Sequence, residues 1–226
     1  MIPYGIWRKM TYDQYQNARH YTQIAEQFAS NHWFFSVLRN ALKETEGKSQ
    51  GYFEDILMKE YYNNLVKILE SGDFAEKHLQ KFVKLEIDIQ NLLCIIKTHN
   101  NIEQWDSFFN RAFIPNGLHV DQRRFKELCS IKDFSTLSQS ISSLEIFSND
   151  EPFKAMTFTS SAMLGRELSK SRLKMGQRFS RLYPLSVLPI IHYIVKKESE
   201  VENLRILARG KERKLPREII SELISA

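Results

Sequence analysis

VKLEIDIQNLLCIIK, from Val83 to Lys97, and VKKESEVENLRILAR, from Val195 to Arg209, are two versions of one pattern and decide how the chain is read. Neither window contains Gly or Pro, and each is long enough for about four helical turns. Five of the 15 positions are identical, where average residue usage gives roughly one by chance. Asp88/Glu200, Ile89/Val201, Cys94/Ile206, Ile95/Leu207 and Lys97/Arg209 keep their character. Both copies follow a short helix-breaking stretch and lie toward the end of their segment. The reading is two related helical units, 1–148 and 149–226, divided at Ser148-Asn149-Asp150-Glu151-Pro152. A proline-aromatic step opens each, Ile2-Pro3-Tyr4-Gly5 in the first and Glu151-Pro152-Phe153-Lys154 in the second.

Composition supports helices throughout. The 226 residues are 42% hydrophobic and 26% charged, with only 8 Gly and 6 Pro. Sandwiches and barrels need turn residues at each corner, so the expected class is all-α. No GxGxxG and no GxxxxGK[ST] occurs, which weighs against a glycine-cradled nucleotide site. Cys94 and Cys129 are too few for a disulfide scaffold or a thiolate zinc site and read as buried thiols in a reducing compartment. The start, MIPYGIWRKMTYDQ, has no apolar run behind a basic head, so no secretory signal is expected. The most apolar stretch runs only from Leu185 to Val195 and is interrupted by Ser186, Pro189 and His192. A membrane span needs about 20 apolar residues.

Helical periods place the elements. Tyr12 to Leu42 repeats apolar residues at helical steps, and KETEGKSQG (Lys43–Gly51) reads as a loop. A helix over Tyr52–Leu69 follows. Asp73 then caps a long helix over Phe74–Lys97, whose apolar second half predicts burial on most faces. Shorter helices are expected over 102–113, 120–129 and 134–144, with a turn at Ile114-Pro115-Asn116-Gly117. The second unit should hold a basic amphipathic helix over Met156–Leu182 and a long helix over Ile190–Arg209. A short helix opened by Leu215-Pro216 should close the chain.

Charge is mildly positive, +5 from 32 basic and 27 acidic residues. Arg166, Lys170, Lys174, Arg178 and Arg181 recur at helical steps and form one stripe. Such a stripe reads first as a solvated face and second as a surface for an acidic protein. A basic scaffold or nucleic-acid-binding protein is the alternative function, weakened by the lack of interleaved aromatics. No HExxH or CxxC occurs among the histidines and cysteines. Glu86/Asp88 and Glu198/Glu200/Glu202 pair carboxylates in sequence, but alternate residues on a helix diverge. No catalytic, cofactor-binding or metal-ligating residues are assigned. Asn91 and Asn203 occupy equivalent places in two helices although Asn is a poor helix former. Each reads as a buried amide bonded to a neighbouring helix backbone, or as a partner contact. Arg205, Arg209, Lys211 and Arg213 gather at a helix C-terminus, where cations are favoured in any case.

From Pro184 to Leu223 the residues carry a signature. It comprises Pro184-Leu185, Tyr193, Lys197-Glu198-Ser199-Glu200-Val201-Glu202-Asn203-Leu204-Arg205, Arg209-Gly210-Lys211 and Leu215-Pro216. These closely resemble the C-terminal pattern of the C subunit of V-type and A-type ATP synthases, known as the d subunit in vacuolar ATPases. Glu86 to Lys97 resembles that family's middle repeat, and Ile114–Gly117 its Ile-Pro-Gly-Gly turn. The resemblance implies a funnel of three similar helical units in pseudo-threefold arrangement, of which this chain supplies two and lacks the first. It further implies a non-catalytic rotor subunit, without cofactor, on the cytoplasmic face of a membrane. Its partners would be the central stalk and the proteolipid ring, with only peripheral membrane contact. Tyr193, Glu198, Glu200, Asn203, Arg205, Arg209, Lys211, Asn91, Glu86, Arg178 and Arg181 are then candidates for the interface or for the structural signature.

Overall fold

The computed structural model describes residues 33–44, 50–70, 74–99, 105–148 and 150–224. Among them every regular element is helical, as the low glycine and proline content requires. In chain order these are α1 (Trp33–Glu44), α2 (Gln50–Glu70), α3 (Phe74–Thr98), α4 (Trp105–Ala112), α5 (Gln122–Ser130) and α6 (Phe134–Ser142). A 3-10 turn at Glu145–Phe147 leads to α7 (Glu151–Ala155), α8 (Ser161–Leu182), α9 (Leu188–Glu212) and α10 (Arg217–Leu223). The helix expected over Tyr12–Leu42 and the Asp73 cap lie wholly or largely outside the described residues.

The chain divides into two compact units, Met1–Asn64 and Leu65–Ala226. In the first, Val37, Ala41, Ile56 and Tyr62 are buried. The second is organised around α3, whose 25 residues reach about 37 Å at 1.5 Å per residue. Ile87, Ile89, Leu92, Ile95 and Ile96 of its second half are all buried, as an almost uniformly apolar helix must be. Leu92, Ile95 and Ile96 join a core with Phe125, Leu128, Leu137 and Ile141 from the shorter helices and Leu164 and Leu168 from α8. Phe147 and Phe153 stack at 4.1 Å between ring centres. The core therefore runs unbroken past the sequence division at 148/149, both sides of which lie in the second compact unit. A satellite core of Phe82, Leu85, Phe179, Leu188 and Val195 joins α3, α8 and α9.

Two boundaries differ from expectation. The basic helix α8 begins at Ser161 instead of Met156, because the Ser160 hydroxyl accepts the Met163 N–H at 3.2 Å and caps it there. Residues 156–159 run outside the helix, with Phe158 buried in the core. Conversely, α9 extends from Leu188 to Glu212 because Pro189 sits in its first turn, where no N–H is missed.

The end of α9 explains several signature residues. The Leu215 N–H donates to the Gly210 carbonyl at 2.9 Å and the Lys214 N–H to the Lys211 carbonyl at 3.0 Å, the paired bonds of a Schellman close. Gly210 is needed because a Cβ there would come within 2.7–2.8 Å of the Ile220 side chain on α10. Lys214 has φ +54°, the left-handed conformation that glycine favours. Relief of about 1–2 kcal/mol of strain exceeds the roughly 0.4–1 kcal/mol that glycine adds through unfolded-chain entropy. Lys214→Gly should therefore stabilise the protein by about 0.5–1 kcal/mol, read as a higher urea midpoint at unchanged slope.

Candidate functional site

Arg172 of α8 joins three helices. Its Nε donates to both oxygens of Glu86 on α3, at 2.6 and 2.8 Å, and an Nη donates to Glu198 on α9 at 2.9 Å. Glu86 is 5% exposed and also accepts from Gln90 at 3.1 Å. Burial works against the Arg172 charge, but Glu86 and then Glu198 outweigh it and raise its pKa. Glu86 and Glu198, which occupy matching positions in the two sequence windows, are brought together by one guanidinium. A planar fork suits that role in a way a lysine does not.

A second cluster holds the Ile114–Val120 turn against α3. Asn91, fully buried, donates from Nδ2 to the Ile114 carbonyl at 2.9 Å and accepts the Ile114 N–H at 3.0 Å. Its partner is therefore a turn and not a neighbouring helix. One helical turn earlier, Asp88 accepts the N–H groups of Leu118 (3.1 Å), His119 (2.9 Å) and Val120 (2.9 Å). Burial raises the Asp88 carboxyl above its ordinary 3.8, while those three N–H groups and His119 pull the other way. A Cβ at Gly117 would collide with Asp88 Oδ1 and lie 3.2 Å from the Val120 carbonyl. Asn116 takes φ +70° to complete the turn, a conformation asparagine tolerates better than most residues.

The basic stripe on α8 is only partly a solvated face. Arg166 and Lys170 are half-buried and both reach Glu167, at 3.4 and 3.1 Å. Lys174 bonds Asp150 at 3.0 Å. Arg178 and Arg181 are exposed. Arg178 edges a cleft of about 360 Å³ floored by Leu85, Ile89, Met175 and Phe179. Asp150, at the same cleft, also accepts the Ser171 hydroxyl at 2.8 Å. Burial alone would raise the Asp150 carboxyl, but the Ser171 and Lys174 bonds together hold it below 3.8. A carboxyl depressed in the fold adds stability above its unfolded pKa and loses it as pH falls through the folded value. Below about pH 3.9 the native chain should lose stability more steeply than Asp150→Asn. Urea midpoints at acid and neutral pH measure this, and equal losses would count against it.

The other assigned residues lie on α9. Tyr193, Glu198 and Arg205 share a shallow depression with Val201 and Lys197. Glu200 bonds Lys197 at 2.6 Å and Glu202 bonds Arg205 at 2.8 Å. Glu198, Glu200 and Glu202 thus turn to three different cations, and Glu86 and Asp88 to two different targets. Asn203 is half-buried, unlike Asn91, while Arg209 and Lys211 are exposed in the last turn of α9. Cys129 is buried and its thiol is pushed up to about 12, first by burial and then by Cys94, which is half-buried. No cluster of three or more His, Cys, Asp or Glu suited to a metal occurs among the described residues. Sequence reasoning missed Arg172, Asp88, Gly117 and Asp150. The i, i+3 spacing of Asp88 and Asn91 beside a glycine turn was the available signal for the second cluster.

Comparison with known proteins bears on the whole chain. The family described as ATP synthase (C/AC39) subunit matches residues 1–223. The A-type ATP synthase C subunit of Methanococcoides burtonii is 32% identical over 180 residues, covering 79% of this chain and 50% of that protein. That of Archaeoglobus fulgidus is 32% identical over 181 residues, covering 79% and 50%. That of Methanosarcina acetivorans is 26% identical over 183 residues, covering 80% and 49%. The chain spans about half the length of the curated relatives it matches. With the match running almost end to end and the Pro184–Leu223 signature within it, the chain belongs to the ATP synthase (C/AC39) subunit family.

Proposed function

We propose that this chain is a non-catalytic rotor part of a V/A-type ATPase or ATP synthase, coupling the central stalk to the membrane proteolipid ring during rotary proton or sodium transport. The observation that carries the reading is the family match over residues 1–223, together with relatives named as the C subunit of A-type ATP synthases. Geometry supports a mechanical role. A part that passes torque must resist twist, and close-packed helices are poorly compressible. Here α3, α8 and α9 share a satellite core and are tied by the Arg172 bonds to Glu86 and Glu198. Among the described residues no helix is long and apolar enough to cross a membrane. That suits a peripheral component held on the cytoplasmic face by protein contacts. In this reading two related helical units form part of a pseudo-threefold funnel. Tyr193, Arg205, Arg209 and Lys211 on α9, with Arg178 and Arg181 on α8, face partners.

The test is co-elution of the chain with a purified central-stalk heterodimer at low and raised salt. Co-elution at low salt is expected. Weakening with salt would assign part of the contact to the exposed arginines. Failure to co-elute at low salt overturns the stalk contact.

A further inference from the structure

The cleft edged by Arg178 is lined wholly by residues of the Leu65–Ala226 unit. Its floor of Leu85, Ile89, Met175 and Phe179 lies inside α3 and α8, where backbone N–H and C=O groups are bonded along the helix. Leu118 and Leu182 stand at its walls, 44% and 58% exposed, so apolar surface continues from the floor to the rim. The charges are sorted by end. Phe82 on α3 meets Phe179 on α8 edge-on at 5.7 Å, and their chain neighbours Lys81 and Arg178 both line the cleft there. Both cations are exposed, and among the described residues neither meets a carboxylate. The acids stand toward the other end. Asp150 takes the Ser171 hydroxyl and Lys174, and Glu145 lies 3.5 Å from His119, next to the Leu118 wall.

A concave apolar floor with a few convergent polar groups is the usual form of a small-ligand site. Two unmatched cations at one end select an anionic head, and the carboxylates at the other end oppose the reverse orientation. An extended peptide fits poorly, because the floor offers no free backbone group to its N–H and C=O groups, which are costly to bury unpaired. A helix satisfies its own backbone but is about 10–12 Å across and would stand outside the cleft. A cavity of about 150 Å³ takes benzene, so one of about 360 Å³ admits roughly a dozen non-hydrogen atoms on the same scale. We propose that the cleft binds a single-chain amphipathic anion, a carboxylic acid of about ten carbons, with its head between Lys81 and Arg178 and its chain over Leu85, Met175 and Ile89. The site stands on the cleft alone and is independent of the rotor reading.

Calorimetric titration of the full chain with sodium decanoate, kept below its micelle concentration, should give saturable binding of one molecule per chain. Hexanoate, octanoate and decanoate should bind in rising order, by up to about fourfold for each added methylene. Decyltrimethylammonium, with the same chain and the opposite charge, should bind at least about tenfold more weakly than decanoate. Lys81→Glu and Arg178→Glu should each weaken decanoate about tenfold or more, the value of a hydrogen bond to a charged group. Lys77→Glu makes the same charge change one turn earlier on α3, outside the cleft. It should alter binding less than about threefold, because a charge in open solvent is screened. All three positions are exposed, and circular dichroism verifies that the variants fold. With methionine methyl groups labelled, the magnetic resonance signal of Met175 should move on titration, since it is the methionine that lines the cleft. No binding at millimolar decanoate, equal binding of the cationic chain, equal losses in Arg178→Glu and Lys77→Glu, or an unmoved Met175 signal each overturns the proposal.

Discussion

Arg172→Ala should lower the stability of the Leu65–Ala226 unit by about 3–5 kcal/mol, the usual cost of leaving one charge of a buried pair without its partner. Glu86 is 5% exposed and would keep only its 3.1 Å bond from Gln90. Since domains are stable by about 5–15 kcal/mol in all, that loss removes a fifth or more. Arg172→Lys should recover only part of it, because an ammonium cannot reproduce the forked contacts to Glu86 and Glu198. Glu198→Gln should cost about 0–1 kcal/mol, since that carboxylate is 56% exposed and water replaces the contact. The double replacement Arg172→Met with Glu86→Leu should restore most of the lost stability, because an apolar pair of similar volume carries no desolvation penalty. Urea unfolding of these variants beside the native chain, with a double-mutant cycle on Arg172 and Glu86, measures the coupling directly. A loss under about 1 kcal/mol for Arg172→Ala would show that the three-helix tie is not a major support of the fold.

Asp88→Ala should cost about 3 kcal/mol, the lower end of what three unmet donors at about 1–3 kcal/mol each would cost. Water can reach the Leu118 and His119 amides, since Leu118 is exposed and His119 half-buried, but Val120 is fully buried. Gly117→Ala should cost about 1–3 kcal/mol by overpacking, because its new methyl meets Asp88 Oδ1. The two substitutions should not add. Removing the Asp88 carboxylate opens the space that the Gly117 methyl needs, so Gly117→Ala in the Asp88→Ala background should be much milder. Thermal or urea unfolding of both single variants and the double variant gives the coupling. Simple additivity would mean that the methyl is obstructed by the Val120 carbonyl, 3.2 Å from the same point.

How much of this could be read beforehand differs from element to element. The long helices were legible because their apolar periods are strong and glycine and proline are scarce. The end of Phe74–Thr98 falls next to the expected Lys97. The start of α8 was misplaced because Met156–Thr159 fits a helical pattern, while the competing signal is a single capping hydroxyl at Ser160. The interior position of Asn91 followed from its cost in a helix. Its partner did not, because the Ile114 backbone belongs to a distant turn and turn geometry leaves no mark on helical periodicity. Arg172 was hidden for a similar reason. Standing among other basic residues between Gly165 and Pro184, it looks like part of a charged face. Only the packing of α3 and α9 onto α8 distinguishes it. The matching positions of Glu86 and Glu198 in the two windows gave no hint that one guanidinium holds both.

The Asn91 bonds to Ile114 also bear on the order in which the protein assembles and on how it breathes. Closing the segment between these two residues is inexpensive in entropy, since the cost of loop closure grows only with the logarithm of length. The second half of α3, α4 and the turn can therefore join early, before α8 arrives from far along the chain. Once joined, the amide protons of Ile114 and Val120 sit in an irregular stretch yet have buried side-chain acceptors on α3. They should exchange with solvent as slowly as the helix that holds them, in one cooperative opening with it.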